Sequence, residues 1–327
     1  MSEPTDTPVA AIASLANPAG ANNFLIWYND STTAQLLALT NAYVGFGDGG
    51  SAIEHKPHDL ELNFGPADVP SGNILATSAL TAAVHHGTLN VYGVLAAKQG
   101  GSLVCRLSPG FLLLNVGSPP LASAFSIAAC SDLNNNGVLF FLGDKGNGNV
   151  RLYSLELPGV VPSPSQVSLS LIFNAASYLG AAYGTLPNTT PQAFAVVQDS
   201  DGALHLTSAD GNIQKQVNGG KKALMNTPIA ALFIDKRLVV YWFDPVGSSG
   251  TTDGSPLMRA TLRGPGDDFT VKTLTAAPTP NGYTQLTAFV NPASVSVGGG
   301  SGTALITYVQ NSSNTLTTYP DHLESND

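Results

Sequence analysis

Six times along the chain a pair of small residues sits inside a short apolar run: Ala10-Ala11, Ala82-Ala83, Ala128-Ala129, Ala181-Ala182, Ala230-Ala231 and, in degenerate form, Thr287-Ala288. The mean spacing is about 55 residues, a little above the period of propeller blades. Each pair is followed by a second apolar or aromatic run: FLIWYND, LNVYGV, VLFFLGD, AFAVVQD, LVVYWFD and ALITYVQN. A turn rich in Asp, Asn, Gly and Ser comes next, and then a third run: AQLLAL, SLVCRL, NVRLYSL, ALHLTS, PLMRATL and NTLTTY. Strand, tight turn, strand is a meander, and no segment carries a capped 3.6-residue apolar period. The small pairs suit the innermost strand of each unit, because wedges converging on one axis leave least room there. The reading is all-β, a single six-bladed β-propeller over 1–327 with blades at roughly 8–74, 75–120, 121–172, 173–222, 223–278 and 279–327. A large β-sandwich is the competing architecture. Ring closure is expected to use either residues 2–8 or the tail from Asp321 to complete a neighbour's sheet. The longest interval, from Ala10 to Ala82, holds an insertion that reads either as a lid or as an elaborated outer strand.

Composition narrows the partners. The chain has 327 residues, is 43% hydrophobic and only 11% charged, and carries a net charge of −9. An acidic, sparsely charged surface disfavours a phosphate backbone or an anionic membrane, so nucleic acid is not expected. No apolar run approaches the ~18 residues of a membrane span. The opening MSEPTDTP lacks the basic and apolar regions of a secretory signal, and a cytoplasmic location is expected. Cys105 and Cys130 make no disulfide framework or zinc spacing and read as small buried residues. DSDG at 199–202 and DKGNGN at 144–149 lack the remaining ligands of a calcium loop and read as hairpin turns. No nucleophile elbow, no P-loop and no GxGxxG opening a helix is present, and neither metal nor cofactor is implied.

The unit length, the Ala-Ala inner strand and the aromatic second strand resemble the fungal fucose-binding lectins, which are six-bladed propellers. That resemblance implies interblade sugar sites built from an Arg on the second strand (IRVYYQ), a Glu on the third (IREAxW) and a nearby Trp or Tyr. Here the Arg position is Leu25, Asn90, Leu139, Phe194, Val239 and Leu305, and the Glu position falls near Leu37, Cys105, Tyr153, Leu206, Ala260 and Thr317. The two tryptophans, Trp27 and Trp242, leave few stacking platforms. A second fungal group is similar in size, repeat form and lost sugar motif: the propeller hetero-Diels–Alderases of tropolone sesquiterpenoid biosynthesis. It implies a cofactor-free pericyclase. An ortho-quinone methide from a tropolone or phenol is joined to a humulene-type alkene, so the partner is a small apolar polyketide or terpenoid.

Candidate catalytic groups are His85 and His86, which follow the second inner strand, and Tyr178 and Tyr283, which precede the fourth and sixth Ala pairs. Imidazole suits general acid–base work near neutrality, and a phenol can donate to a tropolone oxygen. Candidate substrate-binding groups are Trp242, as a flat wall, and Arg106 and Arg259, as orienting cations on otherwise apolar third strands. Each also has an ordinary reading: turn histidines, packing aromatics, solvated arginines. Glu54, His55 and His58 in the long insertion form the densest ionisable cluster, without metal-ligand spacing. Three functions stay open: a pericyclase, a carbohydrate-binding lectin-like protein and a non-catalytic scaffold. Homodimerisation is also left open.

Overall fold

The computed structural model describes the strand backbones at 9–13, 23–30 and 35–42, and residues 78–96, 102–108, 112–114, 116, 120–123, 126–157, 163–169, 171–217, 223–244, 254–280, 285–291, 302–310 and 316–324. Every regular element among them is a strand, and the strands form six antiparallel sheets in chain order. The first sheet is β1 (Val9–Ala13), β2 (Asn23–Asp30) and β3 (Gln35–Ala42). The second is β4 (Thr81–His85), β5 (Thr88–Ala96), β6 (Ser102–Ser108) and β7 (Leu112–Leu113). The third is β8 (Ile127–Ser131), β9 (Gly137–Asp144), β10 (Val150–Leu157) and β11 (Ser165–Gln166). The fourth is β12 (Leu179–Gly184), β13 (Gln192–Gln198), β14 (Leu204–Ser208) and β15 (Gln214–Gln216). The fifth is β16 (Ile229–Ile234), β17 (Arg237–Phe243), β18 (Leu257–Leu262) and β19 (Thr270–Leu274). The sixth is β20 (Thr287–Val290), β21 (Gly302–Val309) and β22 (Leu316–Leu323).

The strand that opens each sheet, β1, β4, β8, β12, β16 or β20, carries the small-residue pair and neighbours the next opening strand, with β20 returning to β1. This closes the ring and makes the chain a six-bladed propeller. Asp321 to Leu323 lie inside β22 and pair with β21 of their own sheet, contrary to one of the two sequence expectations for ring closure, and the other, residues 2–8, lies outside the described residues. The fourth strands β7, β11, β15 and β19 add outer edges that the sequence reading did not separate. β7 and β11 are two residues long and β15 is polar throughout, so these edges carry no apolar alternation to announce them.

The core is not a single ball but a series of layers between successive sheets. Phe194, Val196 and Leu206 of the fourth sheet interdigitate with Val240, Trp242 and Ala260 of the fifth, and comparable layers join the second to the third, the third to the fourth and the fifth to the sixth. Strand alternation makes this possible, since successive side chains point to opposite faces and a radial sheet has a neighbour on each side. That accounts for central strands that are almost continuously apolar, such as β17, which is buried along its whole length and apolar after Arg237.

A buried hydroxyl ahead of three inner strands recurs. The side chains of Ser78, Ser177 and Thr227 accept the backbone N–H of Val94, Gln198 and Phe243 at 2.7, 2.9 and 3.0 Å. Each ties the approach to its inner strand to the end of the second strand.

Candidate functional site

Convergence at the axis leaves a narrow channel. Its wall includes Ala82, Ala128, Ala181, Ala230 and Thr287, and it encloses about 90 Å³. Small-molecule sites run to ~300–1,000 Å³. The channel between these strands admits a few waters, not a macrocyclic sesquiterpene, so a substrate of that size must use an interblade cleft or a rim.

One interblade position gathers polar side chains. His86 and Gly87 have φ of 50° and 65°, and His85 pairs with Thr88, which defines a two-residue hairpin of the primed type. The turn leaves His86 exposed and sends His85 inward, where it is only 3% exposed. His85 Nε2 lies 2.7 Å from the Tyr92 hydroxyl, and the two imidazole rings meet edge to face at 5.5 Å. His85 Nδ1 is buried and has no hydrogen-bond partner among the described residues. The ring edge reaches toward Gly137 at the start of β9, so the cluster lies where the second sheet meets the third. Tyr92 stands directly opposite Arg106 on β6, whose Nη1 donates a long hydrogen bond of 3.4 Å to Asn90 Oδ1.

Burial is the main force on these groups. It lowers the His85 pKa from 6.5, and the neighbouring cationic groups of His86 and Arg106 push it the same way. The Tyr92 hydroxyl is pushed far above its usual 10 by burial, against the smaller pull of Arg106. A neutral imidazole therefore meets a neutral phenol, with a guanidinium nearby. Such a set can pass a proton and stabilise a developing oxyanion.

The other expected residues are dispersed. Tyr178 is half-buried just ahead of β12, at the opposite end of an inner strand from the one His85 occupies. Tyr283, together with Glu54, His55 and His58, lies outside the described residues. Trp242 is 1% exposed within the layer between the fourth and fifth sheets, and its Nε1 donates to Asp244 Oδ1 at 3.2 Å. It is a core aromatic rather than a wall of the channel.

Arg259 is not solvated. Its Nη1 lies 3.0 Å from both carboxylate oxygens of Asp321, and Tyr241 donates to Asp321 Oδ2 at 2.8 Å. This pair joins β18 to β22 inside the protein. Cys105 and Cys130 are buried, and burial pushes the Cys105 thiol up to about 12. In the DSDG turn Asp199 Oδ1 accepts the N–H of Asp201 and Ala203, both at 2.9 Å, and Oδ2 meets His205 at 2.7 Å. In the DKGNGN turn Asp144 accepts the N–H of Gly146 at 2.8 Å. These carboxylates serve the hairpins.

Tyr92 and Tyr241 are not singled out by sequence, Asn90 enters only as a position matching a lectin arginine, and Asp321 only as the start of the tail. Tyr92 sits in the aromatic second run like any packing tyrosine, and Asp321 is distant in sequence from the cation it meets.

Among the described side chains, the positions matching the lectin arginines are packed: Asn90, Leu139, Phe194, Val239 and Leu305 are all buried, as are Cys105, Tyr153, Leu206, Ala260 and Thr317 at the matching third-strand positions. Among solved structures, the fucose-specific lectin from Aleuria aurantia superimposes with a TM-score of 0.62 at 14% identity, covering 98% of this chain and 95% of that one. AofleA from Arthrobotrys oligospora gives 0.61 at 14%, covering 98% and 84%. The SapL1 lectin in complex with alpha methyl fucoside gives 0.61 at 12%, covering 98% and 95%. The chain has the fold of these lectin propellers. No protein-family model and no curated protein matches it. At this identity the likeness is one of fold, and the site must be argued from its own residues.

Proposed function

We propose that the chain is a cofactor-free cyclase of the hetero-Diels–Alderase type. It acts on an ortho-quinone methide formed from a hydroxymethyl tropolone or phenol and on the alkene of a humulene-type sesquiterpene. The observation that carries this reading is the buried His85–Tyr92 pair beside Arg106, on a lectin-type scaffold whose repeated sugar positions are filled with core residues. In the proposed reaction the imidazole takes the ring hydroxyl proton and returns it to the departing hydroxide, so that one water is lost. Arg106 offsets the charge growing on the ring oxygen. The quinone methide and the alkene then form one C–C and one C–O bond with no further atom transferred, and the walls set the face of attack. Beside the cluster His86 is exposed and Arg106 half-buried, and the proposed substrate approaches from that side. An intracellular location and a small apolar partner belong to the same reading. No helix among the described residues is long and apolar enough to cross a membrane.

Incubating the purified protein with a hydroxymethyl tropolone and a humulene alcohol, followed by chiral chromatography, tests the reading. One stereoisomer of the pyran adduct should form faster than in buffer, and His85→Gln should slow it by ~10²–10⁴, the span of general acid–base catalysis. Equal rates and equal isomer ratios with and without protein would remove the proposal. The likeness to fucose-specific lectins favours a second reading, carbohydrate binding. Calorimetric titration with alpha methyl fucoside decides it: saturable heat supports the lectin reading, and none is expected because no matching position holds an Arg or a Glu.

A further inference from the structure

A second cleft lies far from the axis, between the outer strands of the fourth and fifth sheets. It is an open cleft of about 480 Å³ lined by Lys215, Gln216, Asp268 and Phe269. Lys215 and Gln216 belong to the edge strand β15, and Asp268 and Phe269 immediately precede β19. The register explains the contributions. Lys215 pairs with Leu206, a residue of the layer between the two sheets, so its side chain is directed to the fifth sheet. Phe269 packs with one part of its ring on that same layer and leaves the rest, half-buried, to the cleft.

The charges are unusual for a rim. Lys215 and Asp268 line one cavity from opposite sheets, yet their side chains pair neither with each other nor with any other described side chain. One unpartnered charge of each sign, set apart across an aromatic floor, complements a ligand that also carries one charge of each sign. An anion would be opposed by Asp268 and by the net charge of −9, and a cation by Lys215. The volume falls in the range of small-ligand sites, large enough for a dipeptide or tripeptide.

We propose that this cleft binds a short zwitterionic peptide, its carboxylate on Lys215, its ammonium on Asp268 and an apolar side chain on the Phe269 ring. The proposal is independent of the cyclase reading and concerns different residues.

The probe is phenylalanylglycine, titrated into the full chain by calorimetry and by chemical-shift mapping, beside its N-acetylated form, its C-terminal amide and methyl glucoside. Saturable binding of the free dipeptide is expected. Amidation or acetylation should weaken it by about fivefold, the upper end for an exposed ion pair. In Lys215→Ala the amide and the free acid should bind alike, and in Asp268→Asn the acetylated and free forms should. Both substitutions are on the surface, so a folding defect does not blur the result, whereas Phe269→Ala also thins the core. Absence of saturable binding, equal affinity for capped and uncapped dipeptide, or binding of methyl glucoside alone would overturn the assignment.

Discussion

At the residue scale, two neighbouring histidines take opposite roles because a two-residue turn separates them. His86 adopts the positive φ that the hairpin requires and stays in solvent, while His85 is drawn under the second sheet against Tyr92. The inward imidazole has a folded pKa below its unfolded value of 6.5. The unfolded chain therefore binds the proton more readily, and the stability held at His85 is fully present above pH 6.5 and is lost as pH falls below it. Asp132, Asp199 and Asp210 have lowered carboxyl pKa values too, but their window opens only near their unfolded value of 3.8. Melting curves collected from pH 6.5 downward, while still above 3.8, should show the wild type losing Tm on acidification and His85→Gln holding nearly constant. Parallel profiles would mean that the His85 environment is not the one described.

At the element scale, the strands are held to one another across sheets as well as within them. The Arg259–Asp321 pair bridges β18 and β22 with both side chains almost wholly buried. Removing one partner of a buried pair leaves the other charge uncompensated, at a cost of about 3–5 kcal/mol. Urea denaturation of Asp321→Asn should show a loss of that order, whereas the double substitution Arg259→Met/Asp321→Leu should recover most of it. If the single variant is as stable as the parent, the pair does not hold the fifth and sixth sheets together. Close approach of inner strands sets a second limit. A Cβ on Gly180 would stand 2.8 Å from Ile229 Cγ2 and 3.3 Å from the backbone of Ala230 and Ala231. Gly180→Ala should therefore destabilise by about 1–3 kcal/mol despite its small size, read from the same denaturation midpoint. An unchanged midpoint would show that β12 and β16 have room to part.

At the scale of the whole molecule, closure is what leaves no inner strand without a neighbour. β1 lies between β20 and β4, and Gln285 reinforces the seam: its Nε2 donates to the carbonyl of Leu80 at 2.9 Å and its Oε1 accepts the Leu80 N–H at 3.2 Å. The last sheet is thus tied directly to the second. Removing residues 1–13 breaks two inner contacts at once. The truncated chain should lose its single sharp melting transition and elute as aggregates on size exclusion, while a sharp melt at the parental Tm would show that closure contributes little.

The sequence alone determined the repeat, the strand order and the small inner pairs, because alternation and turn chemistry are local and each of the six units restates them. It also showed that the lectin arginines are missing, since a missing residue type needs no coordinates to be seen. It left Arg259 indistinguishable from a solvated arginine, because its partner Asp321 lies a full blade away. Likewise His85 and His86 were equivalent in sequence, and only the left-handed backbone of the hairpin and the approach of Gly137 from the next sheet made one buried and the other exposed. The channel's narrowness and the cleft holding Lys215 and Asp268 arise from how the sheets lean together. Distances between blades are set by packing across the whole ring, and no local stretch of the chain encodes them.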